Sequence, residues 1–334
     1  MKKVRLAVIG VGYLGRFHAQ KIAAMDQAEL VAVVDVDLDR AQAQAAEHGC
    51  LACAALDEVI DQIDAACVVT PTVYHYDIAA RLLTAGKDVL CEKPVTTTLA
   101  QADHLVELAA AGGRILQVGH LERFNPAAAQ AFGLMTKPMF IECNRIAPFK
   151  ARAMDVDVAL DLMIHDLDII LALVGEEPCE IRAKGVPVLG PHADLVNARL
   201  EFPGGCVANV TASRLALKDE RKMRIFQPES YMALDFKERQ LLVVRGVNYV
   251  AGHDPEVDSR LLEFGPCDPL DQEIRSFVDS VIKRTPPLVD GAAARRALAC
   301  ALAVKAGVDA GLRGMEPLLN EPRKWVGAKA PGAC

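Results

Sequence analysis

The sequence predicts an α/β chain in two parts: an N-terminal doubly wound parallel sheet, then a C-terminal α+β domain whose sheet is large, open and mostly antiparallel. Three observations carry this. Short β-rich runs alternate with helical patterns as far as His120, the βαβα order from which parallel sheets are built. From Glu180 to Val247, β-type runs follow one another with no helical pattern between them. At 334 residues the chain is too long for one ordinary core, and the division falls between 1–121 and 122–334.

Composition narrows the function classes. With 52% hydrophobic residues the chain can bury large cores, and a net charge of −7 argues against general affinity for nucleic acid. The N-terminus MKKVRLAVIG has a short apolar run that enters a glycine turn and no cleavage site, so a cytoplasmic location is expected. The longest apolar stretch, Val156 to Val174, carries Asp157, Asp161, His165, Asp166 and Asp168, which argues against a membrane span. Ten cysteines without an export signal read as reduced thiols. Cys50 and Cys53 form a lone CxxC with nothing nearby to complete four ligands, so no metal is expected.

In chain order, the strand Arg5 to Ile9 ends in Gly10-Val11-Gly12-Tyr13-Leu14-Gly15, and a helical pattern follows from Phe17 to Met25. Strand, glycine turn and helix together form the context of a dinucleotide fingerprint. Gly10 permits the tight turn, Gly12 lets a pyrophosphate approach the backbone, Gly15 lets the helix pack closely, and the helix start offers N–H groups. The next strand, Leu30 to Val34, ends in Asp35, 20 positions after Gly15, where an acid accepts hydrogen bonds from ribose hydroxyls. That acid would repel a 2′-phosphate and no arginine follows before Arg40, so NAD is expected rather than NADP. Helix Leu38 to Glu47 and strands Leu51 to Ala54 and Ala65 to Val69 come next, the last ending in Thr70-Pro71-Thr72. His75 opens a helix that runs to about Gly86, a C-cap residue. The stretch DVLCEKP, Asp88 to Pro94, supplies a buried strand; helix Leu99 to Ala111 and strand Arg114 to Val118 complete the first half, which ends at Gly119-His120.

In a doubly wound sheet the residues just past each strand share one edge, where ligands bind. Gly10 to Gly15, Asp35, Thr70 to Thr72, His75, Glu92, Lys93 and His120 are therefore expected around one cofactor. Pro94 directs Lys93 into extended or turn geometry at a strand mouth. The alternative is a solvated Lys-Pro turn.

In the second half, Glu122-Arg123-Phe124-Asn125-Pro126 starts a short helix, and Met139 to Ile146 reads as a strand. Further strands are expected at Glu180–Val188, Leu195–Phe202, Val207–Ser213, Lys222–Phe226, Tyr231–Phe236 and Leu241–Val247, with hairpin turns at Pro203-Gly204-Gly205 and Lys237 to Gln240. Helices Pro269 to Arg284 and Asp290 to Ala310 close the chain, Asp290 acting as an N-cap. In the helix Val156 to Val174, Asp161, His165 and Asp168 recur at i, i+4 and i+7 and form one polar stripe. The stripe faces either solvent or a cleft. The other faces are apolar apart from Asp157 and Asp166, which favours the cleft, and a carboxylate and imidazole in contact there suit proton transfer. Arg123, Arg145, Lys150 and Arg152 lie in the segment that leads to this helix; unless they are ordinary surface charges, they predict an anionic substrate, because arginines grip phosphate through two N–H groups. Asn125 and Asp168 join them as candidate substrate contacts.

Together, GVGYLG, TPTVYH, CEKP and the DLMIHDLD helix resemble the glucose-fructose oxidoreductase and inositol dehydrogenase family, Gfo/Idh/MocA, over essentially the whole chain. EKP and a DxGxHxxD helix are its specific marks, and Met163 stands where the family often has glycine, which bears on pocket shape. The resemblance implies that Lys93, Asp161 and His165 serve catalysis. Oxidation of a secondary alcohol needs a hydride acceptor, a base and a positive group for the alkoxide. His165 is assigned as base and Lys93 as stabiliser, with Asp161 orienting one or both; the sequence leaves the roles of His165 and Lys93 exchangeable. GHLERFNPA and RIFQPESYMALDF are similar to a branch whose members oxidise the 3-hydroxyl of UDP-N-acetylglucosamine, giving a keto sugar for an aminotransferase in lipid A precursor synthesis. A UDP-N-acetylhexosamine is thus the expected substrate. The alternatives are an inositol or other polyol dehydrogenase, an NAD(P)H-dependent carbonyl or imine reductase, and an NAD-binding regulator without activity, which would be expected to lack Lys93 or His165. The resemblance also implies a homodimer or homotetramer formed through the open face of the second sheet.

Overall fold

Six short strands, of which β4, β5 and β6 are buried throughout, build the first sheet: β1 (Val4–Ile9), β2 (Ala28–Val34), β3 (Leu51–Cys53), β4 (Ala65–Val68), β5 (Asp88–Glu92) and β6 (Leu116–Gly119). The structure is a computed structural model that describes residues 3–148, 157–189, 192–247 and 256–313. All neighbouring strands are parallel, in the order β3-β2-β1-β4-β5-β6. The central strands read as continuous apolar runs because helices cover both faces. The chain lays down β1, β2 and β3 on one side, then crosses back to β4 on the other. A crevice opens where the order reverses, beyond the carboxyl ends of β1 and β4.

The helices are α1 (Gly15–Ala23), α2 (Leu38–His48), α3 (His75–Thr84) and α4 (Leu99–Gly112). Asp37 caps α2 by accepting from the Arg40 N–H at 3.1 Å, and Thr98 caps α4 by accepting from Gln101 at 3.3 Å. No side chain caps α1, and its first turn holds no acid. The Lys93-Pro94 peptide after β5 is cis.

Helix α5 (Pro126–Leu134) follows a 3₁₀ turn at Leu121–Phe124 and leads into β7 (Phe140–Ile146). Helix α6 begins with a wide π turn, Ala159–Met163, and continues as a regular helix over Ile164–Val174. The second sheet comprises β7, β8 (Glu180–Val186), β9 (Leu195–Glu201), β10 (Val207–Ser213), β11 (Glu220–Gln227), β12 (Ser230–Asp235), β13 (Gln240–Val247) and β14 (Glu256–Glu263). Their order is β14-β13-β12-β11-β7-β10-β9-β8, antiparallel except for the β7/β10 pair. Alternation sorts each strand: on β9, Val196, Ala198 and Leu200 are buried while Asn197 and Arg199 are exposed. The inner face packs against α5, α6 and the last helix. On the outer face Phe140, Phe226 and Tyr231 meet with ring centroids 5.9 and 4.8 Å apart.

Two features differ from expectation. Strand β14 was not anticipated; its sequence EVDSRLLE is charged and largely exposed, so only pairing with β13 reveals it. The closing helices α7 (Pro269–Lys283) and α8 (Gly291–Arg313) do not keep to the second sheet. Ile274, Phe277 and Val278 of α7 share a core with Leu6 and Val8 of β1. Phe277 is fully buried, which contributes roughly 2–3 kcal/mol. Helix α8 bridges the halves, with Ala294 and Leu298 packed below the first sheet and Ala301, Val304 and Val308 below the second. Asp290 caps it by accepting from Ala293 at 2.8 Å. Among the described residues no helix is long and apolar enough to cross a membrane, and Cys50, Cys53 and the other seven described cysteines are free thiols.

Candidate active site

The glycine turn is shaped for close approach. A Cβ at Gly15 would lie 1.9 Å from the Gly10 carbonyl oxygen, and Gly10 itself holds φ +88° against Val69. A Cβ at Gly12 would meet nothing within 4 Å, so the turn leaves open space there, beside the uncapped start of α1. That combination fits a pyrophosphate. The Asp35 carboxylate is held in place at the end of β2 by the Val11 N–H at 2.9 Å and the Asp37 N–H at 3.0 Å. A cavity of about 610 Å³ joins Gly10, Gly12, Asp35, Thr70 and Pro71, and Leu56, Tyr74 and Ile78 give it an apolar wall. Arg40 also lines it, with its guanidinium 3.3 Å from both Asp35 oxygens. Tyr13 lines a neighbouring cavity with Arg16, whose guanidinium lies 5.0 Å from the Tyr13 ring centroid. Leu14 is partly exposed where α1 begins, and Thr72 opens a 3₁₀ turn, Thr72–Tyr74.

His75 and Glu92 face inward rather than toward this cavity. The His75 ring is buried, with Nδ1 2.8 Å from the Pro94 carbonyl and Nε2 2.7 Å from the Thr70 carbonyl, so it braces the loops after β4 and β5. Glu92 is buried against Gly119, with Oε1 3.1 Å from His18 Nε2 of α1. Burial would raise its pKa, but His18 and Lys93 hold it below the ordinary carboxylate range. Behind it, burial and the Glu92 charge push the fully enclosed Glu273 well above that range.

Beyond β5 the ammonium of Lys93 donates to Asp161 twice, to the backbone oxygen at 2.8 Å and to Oδ1 at 3.0 Å. Two of its three N–H groups are thereby fixed. His165 sits one turn further along α6, with its ring centroid 6.3 Å from that of His120 in an edge-to-face contact. Lys93, Asp161 and His165 together line a cavity of about 180 Å³. Burial, reinforced by the charges of Lys93 and Arg145, lowers the His165 pKa well below its usual value, so the imidazole is neutral and able to accept a proton. Burial also lowers that of His120, against the opposing pull of Asp168.

The π turn modifies the expected stripe. Asp161 lies within it and shares a cavity with His165, but the three polar residues run from cavity to interior: Asp161 is 39% exposed at the side chain and Asp168 only 2%. Met163 is fully buried in the core of the second sheet, so it does not shape the cavity.

The cations are placed differently from the phosphate-gripping cluster expected. Arg145 is buried, donating to Asp166 at 2.9 and 2.8 Å and to Glu122 at 2.8 Å. Burial would lower its pKa, but these two acids raise it. Arg123 donates to Asp168 at 2.7 Å. Asn125 caps α5, accepting from Ala127 at 3.0 Å and donating to the Phe236 carbonyl at 2.8 Å. Asp168 and Asn125 therefore serve the interior, because buried polar groups must be paired. Lys150 and Arg152 lie outside the described residues. The cavity wall includes Glu122, Asp219 and Arg221, which the sequence reading missed. Strand period was the available signal: Arg221 is in phase with the buried Met223 and Ile225 of β11.

Two family models match this chain. The N-terminal one, described as an oxidoreductase family with an NAD-binding Rossmann fold, covers residues 4–120, and the Gfo/Idh/MocA C-terminal domain covers 144–229. The chain belongs to the Gfo/Idh/MocA oxidoreductase family. Among Gfo/Idh/MocA proteins it is 40% identical over 318 residues to the UDP-N-acetylglucosamine 3-dehydrogenase of Acidithiobacillus ferrooxidans, covering 94% of this chain and 100% of that protein. A solved structure of that enzyme superposes with a TM-score of 0.89 at 39% identity, over 94% of this chain and 100% of the other. It is also 32% identical to the scyllo-inositol 2-dehydrogenase (NAD(+)) of Bacillus subtilis over 64% of this chain and 68% of that one. The scyllo-inositol dehydrogenase of Lactobacillus casei, solved with NAD(H) and scyllo-inositol, shares the fold with a TM-score of 0.78 at 21% identity, over 92% and 98% of the two chains.

Proposed function

We propose that this oxidoreductase uses NAD to oxidise the 3-hydroxyl of a UDP-N-acetylhexosamine, most simply UDP-N-acetylglucosamine. The observation that carries the reading is the Lys93, Asp161 and His165 cluster in one cavity beside a dinucleotide cradle, in a chain 40% identical along almost its full length to an enzyme of that name. Residues 1–121 hold the cofactor and residues 122–334 supply the substrate and subunit contacts.

Gly10, Gly12 and the start of α1 would receive the pyrophosphate, and Asp35 the adenine ribose. NAD, when bound, supplies the hydride acceptor. Neutral His165 takes the hydroxyl proton, while the N–H of Lys93 not committed to Asp161 donates to the oxygen as negative charge develops there. Asp161 holds the ammonium in position.

Purified protein incubated with NAD and, in parallel, UDP-N-acetylglucosamine, its uronic acid and free inositol tests the reading through NADH formation. An aminotransferase acting on the keto product is included to draw the reaction forward. Turnover of a nucleotide sugar is expected; turnover of inositol alone rejects the proposal in favour of a polyol dehydrogenase, and strong preference for NADPH favours a reductase.

A further inference from the structure

Three cations line the catalytic cavity among the described residues: Lys93, Arg145 and Arg221. Two are committed. Lys93 is bound to Asp161 through two hydrogen bonds, and Arg145 is enclosed between Asp166 and Glu122. Arg221 differs from both. Its side chain is 45% exposed, and its contacts to Glu122 and Asp219 are each 3.5 Å, long for charge-assisted hydrogen bonds.

Its place on β11 explains why it is held loosely. Arg221 pairs directly across the antiparallel ladder with Arg145 of β7, so two guanidinium groups occupy adjacent positions on the inner face. Like charges directly opposite destabilise a sheet. Glu122 is their shared counterion, but its Oε1 is drawn to Arg145 at 2.8 Å and stands 3.5 Å from Arg221. Asp166 and the nearer approach of Glu122 go to Arg145, and Arg221 keeps only the 3.5 Å contacts to Glu122 and Asp219, so its guanidinium is the least tightly held cation of the cavity wall. A bound anion could replace these long contacts with shorter ones.

We infer that Arg221 recognises the diphosphate of the substrate and is the residue by which this cavity selects a nucleotide sugar over a free polyol. The inference rests on the nucleotide-sugar reading above. In a pyranose only C2 separates C1 from C3, so a phosphate on C1 lies within one ring's breadth of the carbon being oxidised. A cavity of about 180 Å³ suits one such ring, with Lys93 and His165 toward the hydroxyl and Arg221 toward the phosphate. The planar fork of an arginine matches two phosphate oxygens, whereas a lysine offers only a point charge.

The test compares wild type, Arg221→Ala and Arg221→Lys at saturating NAD, measuring turnover of UDP-N-acetylglucosamine and, separately, binding of UDP by calorimetry. In Arg221→Ala, KM for the sugar and Kd for UDP are expected to rise about 10- to 100-fold, the weight of a charge-assisted contact, with kcat within about twofold. Arg221→Lys should fall between. Unchanged NAD affinity and melting temperature show that the fold is intact. If UDP binds and the binding depends on Arg221 while no nucleotide sugar is oxidised, the dehydrogenase reading fails and the Arg221 assignment stands. If UDP does not bind the wild type, or binds Arg221→Ala equally well, the assignment is overturned.

Discussion

Replacing Lys93 with Ala separates chemistry from architecture in this protein. Its ammonium makes two hydrogen bonds to Asp161, at 2.8 and 3.0 Å, and under the proposed function its third N–H donates to the reacting oxygen. Removing a donor to developing negative charge costs about 2.7–4 kcal/mol in the transition state, or about 10²–10³ in kcat. The cost to the fold is much smaller. The Asp161 side chain is 39% exposed and that of Lys93 16%, so once its partner is gone water can solvate the carboxylate, and loss of this part-buried pair costs about 1 kcal/mol. Lys93 does not line the larger cavity that holds the glycine turn and Asp35, so cofactor affinity should stay within about twofold. NADH formation at saturating substrate gives kcat, and calorimetry gives the NAD affinity of the same preparation. A kcat within about threefold of wild type would refute the role given to Lys93, and lost NAD binding would show that the residue acts through the cofactor site instead.

Three further outcomes are expected. Because burial keeps His165 neutral to well below its ordinary value of 6.5, kcat/KM for oxidation should hold constant as pH falls through 6.5 and decline only at more acidic pH, where the base becomes protonated; an inflection at or above 6.5 would exclude His165 as the group observed. Asp35→Ser should weaken NAD about tenfold or more and improve NADP, because it removes a ribose acceptor and frees the guanidinium of Arg40, now 3.3 Å away; an unchanged preference between the two cofactors contradicts the assignment. The outer face of the second sheet exposes Phe226, Val257 and Leu261, at 40%, 57% and 56%, so light scattering should report a dimer or tetramer that Phe226→Asp weakens; a wild-type monomer at micromolar concentration would count against this.

Sequence alone located most of the elements. Glycines at fixed offsets after a β-rich run, an acid at the end of the next strand and EKP at the end of a later one mark the ligand edge of a parallel sheet, since each signal is local and each strand end is punctuated. The residues that failed to follow their assigned roles did so for a common reason. Arg145, Arg123, Asn125 and His75 are polar groups in promising positions, yet each is consumed by a partner 19 to 111 positions away: Asp166, Asp168, Phe236 and Pro94 respectively. A sequence displays charge but not who neutralises it.

Local pattern thus determined the two kinds of sheet, the glycine turn, the strand-end acid and the polar residues of α6, because backbone period and turn chemistry are properties of short windows. Tertiary structure decided what no window contains. It turned Met163 into the core, sent α7 back to the first sheet, widened the first turn of α6, and set Arg221 against Arg145 across a ladder whose strands are about 75 residues apart in sequence. Whether a charge is spent within the protein or left for a ligand depends on these long-range pairings, and only the folded chain brings the partners together.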